Sequence, residues 1–579
     1  MGNALEGTTG QADVMIIGGG PTGIGAAYRL NQYGHNNWFL LDAEKQPGGL
    51  AGSIKTHEGF RFDHGYKTFF SRYKFLDCLM DDCHSKASPR KLMEKSRDNY
   101  VFVKGRLVRY PLQNNLSGLP EKDQESCAVD LLCSRIRNKE TKKAKDEDKK
   151  NEEQIDQTEE REDITKEKED IEQTQEGKDE AAVEIQDGDS HVSDDNTAPS
   201  EEGNDCEEIE TLDHYLLRNW GESLCNILFR PYIFKSFAYP SSKLTSSWAE
   251  SKIPPSILGD DIEKIIRGEQ SDPGHGADAI TIYPSKGGLV SFWRTIVRKL
   301  PKENVRFKSE IVDLDIEQKL IRTKDGLEIK YNTLISTMPI TSLLELAGRE
   351  DLGESLAHSS LHIVCLGIRG VSTMKDIKGC IYYPESDCIF HRACVFSSFD
   401  PDSIPDKDQK IPTLRFAKPS EDGNEIRGSS SHTGPYWSLL LEISGGPLKT
   451  IHDATIMDEV IRDACAVGLL RPDDEIVSIH MTEMTHGYPL PTLESEIEID
   501  KALNWLQSKG IYSRGRFGSF KYHVGDLDQC LIQGVEAVDN IIKGEPEKCI
   551  WSKGNEISSE ERYLTPSIIW NPSRKRKAS

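Results

Sequence analysis

The pattern of hydrophobic and polar positions near the N-terminus predicts a strand–helix–strand unit. Residues 12–17 form a short apolar run with the length and composition of a buried parallel strand. Residues 24–33 then follow a helical pattern, and residues 38–41 form a second apolar run that ends at Asp42. This order of elements is typical of the βαβ unit of a Rossmann-type domain.

Later segments alternate between strand and helix patterns, which favours an α/β protein. Residues 305–325 predict two strands ending in a turn at 324–326, and residues 332–337 predict a strand that returns to the first sheet. We therefore expect a Rossmann-type domain in discontinuous segments, a mainly helical subdomain and a strand-rich substrate domain. The predicted boundaries are 11–74 and 271–354 for the Rossmann-type domain, 75–138 and 209–270 for the helical subdomain, 355–445 for the strand-rich domain, 446–545 for a C-terminal cofactor and substrate segment, and 546–579 for a tail.

Residues 139–208 interrupt this pattern and carry most of the negative charge. The segment holds 28 acidic and 10 basic residues and contains no Phe, Trp, Tyr, Leu or Met. It cannot bury enough apolar surface to offset the entropy that ordering costs, so we predict a disordered acidic insertion. Two interpretations stay open, a tolerated surface insertion and a docking segment for an unknown partner.

Composition excludes several classes of protein. The 579 residues include 72 Lys and Arg against 96 Asp and Glu, and this net charge of −24 argues against a nucleic-acid partner. No apolar run approaches the roughly 18–20 residues that span a membrane, and the N-terminus lacks a secretory signal. Thirteen cysteines without a metal-type CxxC pair suit free thiols in a reducing compartment. We expect a cytoplasmic protein with no membrane partner and no metal site. The basic cluster at 574–577 is consistent with an import signal or with a charged, frayed terminus.

A GxGxxG sequence, formed by Gly18, Gly20 and Gly23, lies between the first strand and the helix. The first glycine permits a tight turn, the second lets the backbone approach a pyrophosphate, and the third allows close helix–strand packing. The N-terminus of the helix offers free N–H groups to phosphates. Asp42, at the end of the second strand, can accept a hydrogen bond from a ribose hydroxyl. We expect all four residues to bind a dinucleotide.

A further pair of glycines favours FAD over NAD as this dinucleotide. Gly48 and Gly49 follow the acidic end of the second strand, in a register that resembles the signature of large two-domain flavoproteins. In those proteins the glycines let a loop pass close to the cofactor. We therefore include Gly48 and Gly49 in the predicted FAD site.

Six longer motifs point to a specific family. They occupy 110–115 (YPLQNN), 229–232 (FRPY), 434–437 (GPYW), 486–489 (HGYP), 514–518 (RGRFG) and 534–540 (GVEAVDN). In this order they resemble UDP-galactopyranose mutase of the eukaryotic type, from about residue 13 to 544 apart from the insertion.

The resemblance implies an FAD-dependent isomerase that interconverts UDP-galactopyranose and UDP-galactofuranose. In that family reduced FAD attacks the anomeric carbon of the sugar through flavin N5 and expels UDP. The adduct opens, recloses as a furanose, and UDP returns. NAD(P)H supplies the initial reduction of the flavin.

The resemblance also implies roles for individual residues. Arg230 and Arg392 match the arginines of the diphosphate site and active site, and their planar guanidinium groups suit phosphate. Other matched positions lie beside the substrate or the flavin. They are Tyr382, Tyr436 and Tyr522 for the diphosphate, Tyr110 and Gln113 for the uracil, and Arg516, Gly525 and Asp526 for the flavin.

The loop beside the flavin departs from the family pattern. Where the family carries Gly-Gly-His, this chain reads Gly65, Tyr66 and Lys67. Tyr66 adds bulk and restricts the backbone, and Lys67 places an ammonium at the position of the catalytic histidine. One interpretation is therefore that the sugar substrate, or even the reaction, differs from that of the family.

Other departures follow from the same comparison. The tryptophan of the family's sugar pocket aligns with Cys380, and one asparagine aligns with Ser256 or Ile257. Another asparagine aligns with Asp526, whose carboxylate would weaken diphosphate binding unless it is protonated or paired.

Three functional hypotheses stay open. The first is a UDP-galactopyranose mutase that tolerates the changed loop, or a divergent mutase for another nucleotide sugar. The second is a redox flavoenzyme of the amine-oxidase-like or desaturase-like group that uses O₂ or NAD(P)⁺. The third is a non-catalytic flavoprotein whose insertion and tail serve partners. The matched UDP-site residues favour the first, whereas Tyr66 and Lys67 favour the others. We expect a UDP-sugar as ligand and leave a homo-oligomer open.

Overall fold

The computed structural model describes residues 9–69, 71–83, 92–95, 98–138, 140, 209–253, 281–418 and 431–551. The chain divides into two compact units, one formed by Met1–Asp130 and Glu210–Ser579 and the other by Leu131–Ile209. In the second unit, residues 131–138 are helical. Every residue predicted for the site belongs to the first unit.

The described residues form 21 strands. They are β1 (Thr9–Ile17), β2 (Trp38–Asp42), β3 (Ser53–Lys55), β4 (Arg61–Asp63), β5 (Leu92–Lys95), β6 (Tyr100–Val103), β7 (Arg106–Arg109), β8 (Thr281–Pro284), β9 (Val305–Phe307), β10 (Ile311–Asp315), β11 (Leu320–Thr323), β12 (Glu328–Ser336), β13 (His358–Arg369), β14 (Ile381–Tyr382), β15 (Arg392–Cys394), β16 (Ile411–Pro412), β17 (Arg415–Phe416), β18 (Ser431–His432), β19 (Tyr436–Gly445), β20 (Glu475–Pro489) and β21 (Ile511–Ser513).

The helices of the first unit surround these strands. They are α1 (Pro21–Gln32), α2 (Lys74–Cys83), α3 (Leu212–Leu224), α4 (Arg230–Phe237), α5 (Ala249–Lys252), α6 (Gly288–Val297), α7 (Ile340–Leu346), α8 (Phe396–Phe399), α9 (Ile456–Ala466), α10 (Ser495–Ser508) and α11 (Leu527–Lys543). Residues 121–130 are helical as well, and a π-helical turn at Cys225–Phe229 joins α3 to α4.

The first sheet has seven strands and is built around β1. β1 pairs in parallel with β12 on one side and with β2 on the other, and β9 and β21 extend the parallel part. β10 and β11 add an antiparallel edge. Side chains on both faces of β1 are buried, which explains its nearly continuous apolar run. The α/β class and the Rossmann-type unit predicted from the sequence are confirmed.

The second sheet has eight strands in the order β17-β20-β13-β19-β15-β14-β6-β7. Its centre is the antiparallel pair of β13 and β19. The strand-rich region predicted at 355–445 supplies most of the sheet, but β6, β7 and β20 also belong to it. β20 lacks a clear apolar pattern because residues 480–486 are mostly polar and partly exposed. The segments assigned to helical and C-terminal regions therefore contribute strands to the second sheet.

Helices α1 and α11 approach each other closely through glycine. A Cβ on Gly534 would lie 1.9 Å from the carbonyl oxygen of Thr22, and one on Gly25 would lie 2.4 Å from that of Leu531. Gly515 also packs against Thr22, where a Cβ would meet the hydroxyl at 2.6 Å. The start of α1 is thus held against the RGRFG segment.

Three predicted features lie outside the described residues. They are nearly all of the acidic insertion 139–208, the stretch 254–270 with Ser256 and Ile257, and the basic cluster at 574–577. Within the described ranges, no helix is both long and apolar enough to cross a membrane.

Candidate active site

The GxGxxG loop joins β1 to α1 in the conformation that its glycines predict. Gly18 has a φ of 100°, and a Cβ there would lie 2.0 Å from the hydroxyl oxygen of Thr337. A Cβ on Gly23 would lie 1.9 Å from the carbonyl oxygen of Gly18, so this glycine lets α1 pack on the loop. Gly20 is the N-cap of α1, and the nearest atom to a Cβ there lies 4.0 Å away. The N–H groups at the start of α1 are therefore open to a phosphate.

Asp42 ends β2, as predicted, and its carboxylate faces this loop. The carboxylate accepts hydrogen bonds from the N–H of Gly19 and, at 2.6 Å, from the N–H of Glu44. Burial raises the pKa of Asp42, and these two N–H groups oppose that rise. Because each carboxylate oxygen has two lone pairs, Asp42 can still accept a ribose hydroxyl.

The second glycine pair lies directly against the same loop. The N–H of Gly48 donates to the carbonyl of Gly19 at 2.8 Å, and Gly48 has a φ of 118°. A Cβ on Gly48 would lie 2.9 Å from the Trp293 ring, and one on Gly49 would lie 3.4 Å from the Cα of Gly20. The two loops thus present backbone without side chains, which fits the pyrophosphate of FAD.

Three basic side chains, Lys67, Arg392 and Arg516, form a second feature that we call the cationic cluster. Arg392 pairs in register with Glu442 across β15 and β19, and it donates to that carboxylate. The same carboxylate accepts a hydrogen bond of 2.7 Å from the N–H of Tyr66. The guanidinium carbon of Arg392 lies 5.8 Å from the centre of the Tyr66 ring. One buried carboxylate therefore holds both the arginine and the divergent loop.

Lys67 is half-buried and donates to the carbonyl oxygen of His64. Burial has the largest effect on its pKa, and the guanidinium groups of Arg392 and Arg516 act in the same direction, against the carboxylate of Glu442. Together they lower the pKa of Lys67 to about 8. Lys67 thus has a sizeable neutral fraction near neutral pH, unlike an exposed lysine.

Tyrosines line one side of the cationic cluster. Tyr382 pairs in register with Arg392, and its ring centre lies 5.0 Å from that of Tyr110 and 5.4 Å from that of Tyr232. Burial raises the pKa of Tyr382 and Tyr232, so both hydroxyls stay protonated and can donate. Each of the three tyrosines keeps an exposed part, and we call the surface that they form beside the cationic cluster the cleft.

Two further tyrosines lie against the guanidinium of Arg516. Its carbon is 5.3 Å from the ring centre of Tyr488 and 5.9 Å from that of Tyr522, and its Nη1 donates to the carbonyl of Gly525 at 3.1 Å. Tyr522 also packs edge-on against Trp248 at 4.9 Å. The structure therefore brings the predicted residues Arg516, Tyr522 and Gly525 together.

Asp526 lies beside Gly525 and is paired rather than isolated. Its carboxylate contacts the Arg72 guanidinium at 2.7 Å and the Lys252 ammonium at 2.8 Å, and it is the N-cap of α11. Burial alone would raise the pKa of Asp526, but these two cations lower it below its ordinary value. The predicted penalty of a carboxylate near a diphosphate is thus reduced, because Asp526 is already neutralised.

Four predicted residues have other surroundings. Arg230 donates to Asp213 at 2.8 Å and to Glu222 at 2.6 Å, so its guanidinium is held by α3. The Tyr436 hydroxyl donates a hydrogen bond of 2.6 Å to the carbonyl of Gln409, and this contact gives its predicted phosphate role no support. Two others are almost completely buried, namely Gln113 and Cys380.

Sequence reasoning missed the groups that organise the cluster. Glu442 is a charged residue in a strand whose residues are all buried, and a buried charge is a signal of an ion pair. Its partner, however, depends on the register of two strands that are distant in the sequence. Arg72 and Lys252 come from separate segments and meet at Asp526 only in the fold. Tyr488 lay within a recognised motif without an assigned role.

The fold and these two features define a class of protein. A Rossmann-type domain with a second glycine loop, joined to a large, mainly antiparallel sheet beside the cationic cluster, is the architecture of a flavoenzyme. The model for an NAD(P)-binding Rossmann-like domain matches residues 16–81. The crystal structure of reduced UDP-galactopyranose mutase has a TM-score of 0.72 and 27% identity to this chain, covering 94% of this chain and 96% of that one. The predicted resemblance to UDP-galactopyranose mutase is confirmed.

Two other proteins are also similar to this chain. The chain is 33% identical over 113 residues to the "Probable flavin-containing monoamine oxidase A" of Dictyostelium discoideum. That match covers 19% of this chain and spans about a quarter, 24%, of that relative. A CLA-producing fatty acid isomerase from P. acnes has a TM-score of 0.52 and 11% identity, over 92% of this chain and 99% of that one. This second likeness concerns the fold alone.

Proposed function

We propose that the protein is an FAD-dependent isomerase that interconverts UDP-galactopyranose and UDP-galactofuranose. The cationic cluster at the tyrosine-lined cleft carries this proposal, because it suits a diphosphate flanked by a nucleobase and a sugar. The similarity to UDP-galactopyranose mutase over almost the whole chain supports the same reaction.

The glycine loops would hold FAD. Gly18, Gly20 and Gly23 would receive the pyrophosphate with Gly48 and Gly49, and Asp42 would bind the ribose. When bound and reduced, FAD supplies the nucleophile of a covalent mechanism that has no net redox change. NAD(P)H is the proposed reductant and the cytoplasm the proposed location.

The chain's own residues would bind and orient the nucleotide sugar. Arg392 and Arg516 would neutralise the diphosphate, and the hydroxyls of Tyr382 and Tyr522 would donate to its oxygens. Glu442 would keep Arg392 in place, since its carboxylate is held by the Tyr66 N–H as well.

The uracil would lie at the Tyr110 side of the cleft. The ring of Tyr110 offers a stacking surface, and Gln113 lies in the turn that follows it. Arg230 would join the diphosphate only after its guanidinium leaves Asp213 and Glu222.

An amine-oxidase-like reaction is a second candidate, supported by the local similarity to a monoamine oxidase. The cleft opposes it, because an ammonium substrate would face two guanidinium groups and Lys67 around a single shared carboxylate. An oxygen-electrode assay of the oxidised protein with amines separates the two functions.

The test begins with calorimetric titration of UDP into the flavin-loaded protein. We expect binding that weakens about 10-fold or more in Arg392→Lys, because an ammonium loses the two-pronged contact, and no change in Arg306→Lys, an exposed control. The dithionite-reduced protein should then convert UDP-galactofuranose to UDP-galactopyranose, followed by anion-exchange chromatography. Failure of the wild type to bind UDP would overturn the proposal.

A separate variant tests the role of Lys67 in the divergent loop. If Lys67→His raises the conversion of UDP-galactose several-fold, another nucleotide sugar is the natural substrate, and a panel of UDP-sugars should reveal it. If Lys67→His lowers conversion, Lys67 belongs to the mutase reaction.

A further inference from the structure

We propose that His362, Asp453 and Glu483 bind one divalent transition-metal ion of the Zn²⁺ type. Each side chain offers one ligand atom, and these three atoms all lie within 4.8 Å of one another. We call the three residues the His362 cluster. The proposal goes beyond the flavin reaction, because none of the three belongs to the cationic cluster.

The second sheet fixes two of the three ligands. His362 on β13 lies directly opposite Glu483 on β20 in the antiparallel ladder, so both side chains point to the same face of the sheet. Asp453 comes from the turn between β19 and α9. There the N–H groups of residues 455 and 456 both donate to the carbonyl of His452 at 3.0 Å. An ion held by all three residues would therefore tie this turn to two strands.

The His362 cluster lies on the face of the sheet that points away from the cationic cluster. Across β13 and β19, Ile363 pairs with Glu442 and His362 pairs with Ile443. Since successive side chains of a strand alternate between faces, His362 points away from Glu442 and from its partner Arg392. The proposed ion would thus be separated from the flavin reaction by the sheet itself.

The imidazole is buried, whereas the two carboxylates are open to solvent. The His362 side chain is 4% exposed, and its Nε2 lies 3.4 Å from Asp453 Oδ1 and 3.9 Å from Glu483 Oε1. The Asp453 and Glu483 side chains are 68% and 49% exposed. An ion can therefore arrive from solvent at the carboxylates and meet an imidazole that is already aimed at them.

The distances suit a shared ion better than direct hydrogen bonds. Hydrogen bonds from a charged N–H to a carboxylate are about 2.7–2.9 Å long, and both separations from His362 Nε2 exceed this range. Ligand atoms at about 2.1 Å from a tetrahedral Zn²⁺ lie about 3.4 Å from one another. The three ligand atoms thus need only small movements to coordinate one ion.

Charge points in the same direction. Among the residues that the structure describes, neither Asp453 nor Glu483 has a salt bridge to lysine or arginine. A protonated His362 would offset only one of the two carboxylates. It would also bury an Nδ1–H without a partner, since Nδ1 has no hydrogen-bond partner within the described ranges. A divalent ion offsets both carboxylates and leaves the imidazole neutral.

The ligand set selects the class of ion. Imidazole nitrogen suits zinc and its neighbours in the first transition series, whereas Mg²⁺ and Ca²⁺ prefer oxygen ligands alone. Three protein ligands also leave a position for water on a four-coordinate ion. The sequence could not indicate this site, because its residues come from three separate segments and meet only in the fold.

The test uses the full-length, flavin-loaded protein in equilibrium dialysis against ZnCl₂, with bound zinc counted by plasma mass spectrometry. Cysteines and the acidic insertion offer other places for zinc, so each result is a difference between wild type and variant. Asp453→Asn and Glu483→Gln replace exposed ligands by neutral groups of the same shape. In each variant we expect one equivalent of zinc to bind at least about 10-fold more weakly. Asp351→Asn and Glu317→Gln, which alter exposed carboxylates elsewhere, should bind zinc as the wild type does.

Hydrogen–deuterium exchange shows where the ion lies. Saturating Zn²⁺ should slow exchange of the amides in residues 446–455 at least about 3-fold in wild type and leave it unchanged in Glu483→Gln. MgCl₂ should bind at least about 10-fold more weakly than ZnCl₂. Zinc binding by both ligand variants equal to that of wild type would overturn the proposal. Exchange in 446–455 that does not respond to zinc would overturn it too, as would equal affinities for Mg²⁺ and Zn²⁺.

Discussion

At the scale of single residues, buried carboxylates show how the fold sets charge. Asp63, Asp400 and Glu442 are all nearly or fully buried, but their partners differ. Asp63 and Glu442 accept several hydrogen bonds, whereas Oδ2 of Asp400 has no hydrogen-bond partner within the described ranges. A buried acceptor without a partner costs stability when it is charged.

Asp400→Asn should therefore change the pH dependence of stability. Burial, and then the charge of Asp63, raise the pKa of Asp400 to about 7, well above its value near 4 in the unfolded chain. The folded state holds its proton longer, so the wild type loses stability as pH rises from about 4 to 7. Asparagine has no proton to lose, and it keeps the acceptor for the N–H of Asp402.

We expect Asp400→Asn to raise the free energy of unfolding relative to wild type, and this gain should be about 2–4 kcal/mol larger at pH 8 than at pH 4. Urea unfolding at both pH values measures this difference. Asp408→Asn, an exposed position, is the control. A difference between variant and wild type that does not change with pH would contradict the expectation.

Asp526→Asn should destabilise the protein at neutral pH, and this effect should fade in acid. Asp526 has a lowered pKa, so its stabilising effect is present above the unfolded value near 4 and is lost as pH falls toward the folded value. Asparagine can still cap α11 but leaves Lys252 without its carboxylate. We expect a loss of about 1–3 kcal/mol at pH 7 that shrinks below pH 4, measured by urea unfolding. Asp351→Asn, in an exposed ion pair, is the control and should leave the free energy of unfolding essentially unchanged at both pH values.

At the scale of elements, the close contact of α1 with α11 connects the nucleotide loop to the cleft. α1 begins at the GxGxxG loop, and α11 begins at Asp526 beside Arg516. Because the backbones of the two helices are in close contact, a small displacement of one helix moves both the GxGxxG loop and the cleft.

Gly534→Ala tests this connection. The added methyl would lie 1.9 Å from the carbonyl of Thr22, so the helices must separate. We expect a loss of about 2–3 kcal/mol in the free energy of unfolding, together with loss of bound FAD, read from the absorbance of the purified protein. Gly326→Ala has open space around its Cβ but a φ of 86°, and it should cost about 1–2 kcal/mol from strain alone with FAD retained. Full flavin content in Gly534→Ala would disprove the connection.

The elements also show how far sequence reasoning reaches. β1, α1 and β2 were predicted within a few residues, because their patterns and turn glycines are local. β20 was missed because residues 480–486 are mostly polar and partly exposed, so they hide the strand pattern. The pairing of Arg392 with Glu442 could not be predicted, because it depends on the register of β15 against β19 across 50 residues.

At the scale of the whole molecule, charge is divided between the insertion and the rest of the chain. Residues 139–208 carry 18 of the 24 net negative charges, which leaves −6 for all other residues. The cationic cluster is therefore a local positive site in a strongly acidic molecule. An anionic ligand meets the long-range field of the whole protein before it meets the cleft.

This division predicts a salt-dependent effect on association of UDP. Replacing residues 141–208 by a short Gly-Ser linker removes 18 net negative charges and leaves every residue of the cleft unchanged. At 0.01 M ionic strength, where the screening length is about 30 Å, we expect the association rate constant of UDP to rise about 2- to 10-fold. At 0.15 M, where it is about 8 Å, the two rates should converge. Dissociation rates should match throughout, because contacts in the cleft are the same.

Stopped-flow fluorescence of the flavin-loaded proteins measures both rates. A second variant of full length, with the acidic residues of 141–208 changed to Asn and Gln and the basic ones to Gln, separates charge from bulk. If charge is the cause, this variant associates as fast as the deletion at low salt, since it removes the same field. If the neutral insertion instead behaves like wild type, the segment slows UDP by obstruction. Equal association of all three proteins at 0.01 M would mean that the acidic charge does not reach the cleft, and the insertion would then have no electrostatic effect on substrate capture.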